Sequence, residues 1–337
     1  MDAGGGPVSA SPEGPWPIAA ADVLAARRRL GPYLQPTPLR RYAPLDAAVG
    51  HGVSVFVKHE NHNPTNSFKV RNALSAMSVL SGDALRRGIV GATRGNHGLG
   101  LAYAGSLLHA PVTICVPIHN NPEKNDAMRG LGAVLVEEGR DYDESVAVAD
   151  RLVAERGLTL VHSTNNREIL AGAATLSFEI LEEEPEVDAL VVAVGGGSQA
   201  VGALTAARAL LPETQVFGVQ AAGAPATHDS WHAGRILATA SADTFADGLA
   251  TRSAYPMTFP TLLEGLAGFV TVNEAELAEA VRLLLSATHN LAEGAGAAGL
   301  AGLIKLASRL EEKKVAIILS GSNIDATTLR RIIDGEI

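Results

Sequence analysis

The sequence predicts an α/β protein with largely parallel sheets. Short apolar, β-branched runs alternate with amphipathic helical stretches along the chain. Most of these runs are apolar throughout, the mark of strands covered on both faces. Three turns rich in Gly or Asn each follow a run and open a helix, as in crossover units with parallel pairing.

Taken in order, strands are expected at residues 53–57, 89–92, 112–116, 133–136, 159–161, 189–194, 216–219 and 315–319. Residues 141–156 place Tyr142, Val146, Ala149 and Val153 on one helical stripe. Residues 273–289 do the same with Leu277, Val281, Leu284 and Leu285, and Asn273 with Glu276 forms a capping-box pattern. No repeat of 20–50 residues stands out, and no Pro/Gly/Ser-rich linker divides the interior. A second domain is therefore expected to be inserted rather than appended. The chain stops soon after Leu319, so no C-terminal regulatory domain is expected.

Composition narrows the function classes. The chain has 337 residues, 47% hydrophobic and 19% charged, enough apolar material for a large core. Its net charge is 27 − 36 = −9, with no basic block, which argues against nucleic acid as a partner. Cys115 is the single cysteine, so no intramolecular disulfide forms and a reducing cytoplasm fits. No apolar run approaches the ~20 residues that span a bilayer. The first residues, MDAGGGPVSASPEGP, lack the basic and apolar regions of a signal peptide and suggest a flexible tail.

The three turns are where α/β proteins bind ligands, at the carboxyl ends of strands. They are Gly91-Ala92-Thr93-Arg94-Gly95-Asn96-His97-Gly98, Gly195-Gly196-Gly197-Ser198 and Ser320-Gly321-Ser322-Asn323. In the second, bare backbone N–H groups and a following helix N-terminus suit a phosphate. The alternative there is a tight turn needing positive φ. The run is neither a Walker A loop nor GxGxxG. Lys69, after Phe68 at the start of a helical run, alone suggests only a surface lysine. Combined with a phosphate nest, it suggests an amine that forms a Schiff base with pyridoxal phosphate (PLP).

Asn63-Pro64-Thr65-Asn66-Ser67-Phe68-Lys69-Val70-Arg71 resembles the Schiff-base segment of fold-type II PLP enzymes. Within that group the chain resembles the serine/threonine dehydratase and serine racemase family. Thr93-Arg94-Gly95-Asn96-His97 resembles its substrate-carboxylate loop, 195–198 its glycine-rich phosphate loop, and 320–323 the segment whose serine meets the pyridine nitrogen. The motifs occur in the family's order across roughly residues 18–330.

The resemblance implies a tryptophan synthase β-like fold: two open, twisted, mostly parallel sheets flanked by helices. It implies a tail at 1–15, a large PLP-binding domain at 16–77 and 166–337, and a small substrate-loop domain at 78–165. Lys69 would carry the cofactor and act as the α-proton base. Phe68, Asn96, Gly195, Gly196, Gly197, Ser198, Gly248, Glu293 and Ser320 would hold the cofactor with it. Ser67, Thr93, Arg94, Gly95, Asn96 and His97 would meet the substrate. His97 also suits a cap or packing position, and Asn96 a left-handed turn residue. The implied activity is β-elimination from L-threonine, L-serine or a related 3-hydroxy amino acid, giving a 2-oxo acid and ammonia. The alternatives are a racemase or β-replacement enzyme of the same fold, or elimination from an acidic substrate such as 3-hydroxyaspartate or phosphothreonine. The expected partners are a small amino acid and a second copy of the chain in a homodimer, with neither nucleic acid nor membrane.

The chain departs from the family at several points. Arg94 stands where racemases carry a proton-exchanging serine, and a guanidinium stays protonated. It would pair with a second acidic group on the substrate, face solvent, or brace a loop. Gln220 and Ala226 replace two carboxylates of the family's divalent-metal site, so no metal is expected there. Gly172-Ala173-Ala174-Thr175 and Asn66 also differ from the usual residues, which affects the substrate pocket.

Overall fold

The structure is a computed structural model and describes residues 14–337. Of the expected tail at 1–15, residues 1–13 lie outside the described residues. Pro15 is tied down, its carbonyl accepting a hydrogen bond from Thr261 Oγ1 at 2.6 Å.

The described residues form ten strands: β1 (Leu39–Arg41), β2 (Ser54–His59), β3 (Ile89–Ala92), β4 (Val112–Val116), β5 (Val134–Glu137), β6 (Thr159–Leu160), β7 (Ala189–Ala193), β8 (Gln215–Ala221), β9 (Gly268–Val272) and β10 (Lys314–Leu319). Six make one sheet in the order β1-β2-β10-β7-β8-β9, and four make another in the order β5-β4-β3-β6. Every pairing is parallel except that of β1 with β2.

The eight expected strands all form, two with the expected ends and the others with ends shifted by at most two residues. β1 and β9, which the sequence did not suggest, are the two edges of the larger sheet. An edge strand has one neighbour and half-exposed faces, so it needs no continuous apolar run. Leu39-Arg40-Arg41 is mostly exposed, and Gly268 opens β9.

The central strands show why their runs are unbroken. In β10, Val315, Ile317 and Leu319 enter one core, while Ala316 and Ile318 enter the core on the opposite face. The first core packs against the helices Glu274–Thr288 and Gly294–Leu306, the second against Arg167–Glu183 and Ser198–Leu210. Asn273 caps Glu274–Thr288, accepting from Glu276 N at 2.9 Å, while its own amide donates to Glu276 Oε2 at 2.7 Å. Cys115 is fully buried in β4. Among the described residues no helix is long and apolar enough to cross a membrane.

Candidate active site

The helix Lys69–Met77 is fixed from its buried side by ionic groups. Arg71 Nε donates to Glu60 Oε2 at 2.8 Å, and Arg71 Nη1 to Glu179 Oε1 at 2.6 Å. Lys58 Nζ pairs with Glu179 Oε2 at 2.7 Å. All four groups are buried, two cations against two carboxylates, so the cluster is neutral and each charge is partnered. Burial works against the Arg71 charge, but Glu60 and Glu179 outweigh it and raise its pKa.

The same helix start is paired to the third turn. Phe68 N donates to Ser320 O at 3.0 Å, Ser67 bridges Gly321 in antiparallel fashion, and Ser322 N donates to Asn66 O at 2.9 Å. Lys69 is thereby set beside the end of β10. Asn66 has φ 53°, a left-handed value that asparagine tolerates better than most residues with a side chain.

One cavity gathers the three turns. Of the predicted site residues, all but Ser67 line it. Ser67 is fully buried behind the wall, its hydroxyl without a hydrogen-bond partner among the described residues. The Lys69 ammonium lies 4.9 Å from the centre of the Phe68 ring. Among the described residues it has neither an ion-pair partner nor a hydrogen bond. Burial lowers its pKa to about 8, against the opposing pull of Glu293.

The second turn is a cradle of bare backbone. A Cβ on Gly195 would lie 2.1 Å from the Gly248 carbonyl oxygen, and one on Gly196 2.3 Å from Thr164 Oγ1. Gly197 has φ 94° and precedes the helix Ser198–Leu210. Thr258 Oγ1 donates to the Gly196 carbonyl at 2.8 Å and fixes the loop from behind. The amides of Gly195, Gly196, Gly197 and Ser198 have no acceptor among the described residues. Four unpartnered donors at a helix N-terminus fit a phosphate. The helix begins at Ser198 itself.

In the first turn, Thr93 Oγ1 accepts from Gly95 N at 3.0 Å, and the helix Asn96–Leu108 follows. Asn96 is its first residue and not a left-handed turn residue. Asn96 Nδ2 donates to Glu293 Oε1 at 2.6 Å, and Asn96 Oδ1 accepts from Asn323 Nδ2 at 2.7 Å. Asn323 Nδ2 also donates to Thr65 O at 2.9 Å. Burial raises the Glu293 pKa, partly offset by Lys124. The His97 imidazole is buried and bonds through Nε2 to Val161 O at 2.9 Å, a packing role for the ring. Burial, then the Lys69 charge, lowers its pKa to about 3. Among the described residues Ser320 Oγ makes only a long bond, 3.4 Å, to Ala295 O. Arg94 is half exposed and reaches Asp247 Oδ1 at 3.5 Å, bracing the loop across the cavity.

Several residues here had no assigned part in the sequence reading. Asn323 lies in the quoted third turn, where an amide following two serines gave no separate signal. Lys124 Nζ enters the cavity from the helix Pro122–Gly130 and bonds Asp247 Oδ2 at 2.6 Å. Nothing local distinguishes it from a surface lysine. Gln220, at the altered metal position, accepts from Thr227 N at 3.1 Å and His228 N at 2.9 Å, and so caps the helix Ala226–Ala233.

The sequence pattern of the pyridoxal-phosphate dependent enzyme family matches residues 30–321. The chain belongs to this family. This PLP-dependent chain is similar to the L-threonine ammonia-lyase of Thermotoga maritima, 35% identical over 317 residues, covering 94% of this chain and 78% of the relative. It is 33% identical over 314 residues to the L-threo-3-hydroxyaspartate ammonia-lyase of a Pseudomonas species, covering 93% and 98%. Among solved structures, maize serine racemase superposes with a TM-score of 0.89 at 27% identity, covering 95% of this chain and 98% of the other. The site fits the family's cofactor on its own terms: an amine unpaired among the described residues, a bare amide cradle and a weakly held serine hydroxyl face one cavity.

Proposed function

We propose that this protein is a PLP-dependent ammonia-lyase that converts L-threonine, L-serine or a related 3-hydroxy amino acid to a 2-oxo acid and ammonia. The observation that carries this reading is the Lys69 amine, unpaired among the described residues, opening onto the cavity that the unpartnered amides of residues 195–198 also line. The two ammonia-lyase relatives support the reaction class.

Gly195, Gly196, Gly197 and Ser198 would hold the cofactor phosphate through their amides. Phe68, Asn96, Gly248, Glu293 and Ser320 would surround its ring, with the Ser320 hydroxyl on the ring nitrogen. Bound PLP supplies an aldehyde that condenses with the substrate amine and a conjugated ring that takes up electrons from the α carbon. A lysine with a pKa near 8 has a far larger neutral fraction at physiological pH than an ordinary lysine, and that neutral amine can take the α proton as a base. The substrate carboxylate would lie on the backbone of Thr93, Gly95, Asn96 and His97, where a helix N-terminus favours an anion. Arg94 would face the substrate side chain, and Ser67 would act only from behind the wall.

Residues 78–165 would form the small domain, with 16–77 and 166–337 as the large one. We also propose a homodimer located in the cytoplasm. Purified protein should show the visible absorbance of a PLP–lysine adduct and release 2-oxo acid and ammonia from L-threonine or L-serine. Lys69→Ala should lose both. Racemised product in place of 2-oxo acid would favour the alternative. Arg94 speaks against that, because an arginine does not exchange protons at ordinary pH.

A further inference from the structure

Gln199 stands one residue past the loop 195–198, in the first turn of the helix Ser198–Leu210. It lines the active-site cavity and is only 3% exposed. Among the described residues neither Oε1 nor Nε2 of its carboxamide has a hydrogen-bond partner. A buried amide in that condition is destabilising, and native folds almost always satisfy one.

The position of Gln199 limits what can satisfy it. Three residues on, Gly202 lies flat on the neighbouring helix Arg167–Glu183, where a Cβ would come within 2.7 Å of Ala174 Cα. That contact leaves no room for a water between the helices at its level. Helical side chains also lean back toward the helix N-terminus. The carboxamide is therefore carried toward the glycine-rich loop and the cavity. That end of the helix has neither a capping side chain nor an acidic residue in its first turn. No group of the helix start itself offsets the positive pole there. An anion arriving from the cavity meets the unpartnered amides of residues 195–198 and, beside them, a side-chain donor.

We propose that Gln199 binds the cofactor phosphate, its Nε2–H group adding a side-chain donor to the amide cradle. A phosphate dianion accepts and does not donate, so Oε1 is left to an ordered water beside it. This role rests on the assignment of residues 195–198 to the cofactor phosphate and adds a side chain to that site. It makes Gln199 a determinant of the preference for the phosphorylated vitamin over the free one.

Cofactor-free protein is titrated with PLP and with pyridoxal, which carries the same aldehyde without the phosphate. The visible absorbance of the Lys69 adduct gives each Kd. Gln199→Met keeps the length of the side chain and removes the donor. It should weaken PLP about tenfold, the scale of one hydrogen bond to a charged group, and pyridoxal by less than about twofold. Inorganic phosphate, read by competition with PLP, should lose affinity by the same factor as PLP. The rise in Tm that PLP produces should shrink in the variant. Gln199→Glu serves if the first variant does not fold, because its carboxylate should repel the phosphate and weaken PLP alone. Equal loss for PLP and pyridoxal, or no loss for either, would overturn the role. Absence of any PLP adduct in the unmutated protein refutes the cofactor-site reading and the Gln199 role with it. An adduct whose dependence on phosphate is the same in the variant refutes the role alone.

Discussion

Gly195 and Gly248 touch backbone to backbone, so closely that a methyl on Gly195 would sit 2.1 Å from the Gly248 carbonyl oxygen. The contact joins the glycine-rich loop 195–198 to the turn Asp247–Leu249, which carries the carboxylate shared by Lys124 and Arg94. Gly195→Ala must push these segments apart. It should cost about 1–3 kcal/mol of stability, as overpacking does. Thermal unfolding and PLP retention on gel filtration check this, and the variant should lose cofactor.

Lys69 should titrate near pH 8 in the cofactor-free protein, because burial disfavours its charged form. Only the neutral amine condenses with an aldehyde. The rate of reconstitution with PLP should therefore climb about tenfold per pH unit below 8 and level off above it. Stopped-flow absorbance from pH 6 to 9.5 reads this directly.

Arg71→Met would strand Glu60 in the interior without a cation and leave Glu179 with Lys58 alone. Removing one member of a buried ionic cluster costs about 3–5 kcal/mol. Urea unfolding should show a loss of that size, although Arg71 lies outside the cavity.

His97 resists protonation in the fold until about pH 3, while an unfolded histidine titrates near 6.5. Between those values the unfolded chain binds the extra proton. The stability His97 contributes is present above pH 6.5 and is lost as pH falls toward 3. His97→Gln should flatten the stability–pH slope across that window. His59, lowered to about 4 mainly by burial, keeps part of the slope.

Asn323→Ala removes the donor to Asn96 Oδ1 and the Thr65 carbonyl. Asn96 would then be held only through Glu293. A roughly tenfold fall in kcat/KM is expected, the scale of one hydrogen bond to an oriented group. A shift in the PLP absorbance maximum should accompany it.

Much of this architecture was legible in the residues. Strands buried on both faces, such as β7 and β10, announce themselves because each side chain must be apolar. Turns built for an anion need glycine, and 195–198 shows that need in plain form. The edge strands β1 and β9 carry no such obligation and stayed hidden. Lys124 and Asp247 were silent for another reason: their meaning lies in a pairing across 123 positions of chain. His97 was read partly as a substrate contact, yet its ring turns to Val161, because one residue can offer its amide to one space and its side chain to another. Asn66, a departure from the usual residue, takes a left-handed backbone that asparagine tolerates better than most.

The antiparallel stitch of Ser67 to Gly321 has a consequence for biogenesis. The amine-bearing segment is synthesised early, but its partner emerges only after the last strand has left the ribosome. Closing so distant a pair is slow and comes late. Until that pair closes, Lys69 lacks the burial that lowers its pKa, so cofactor capture is expected only after the end of β10 has docked.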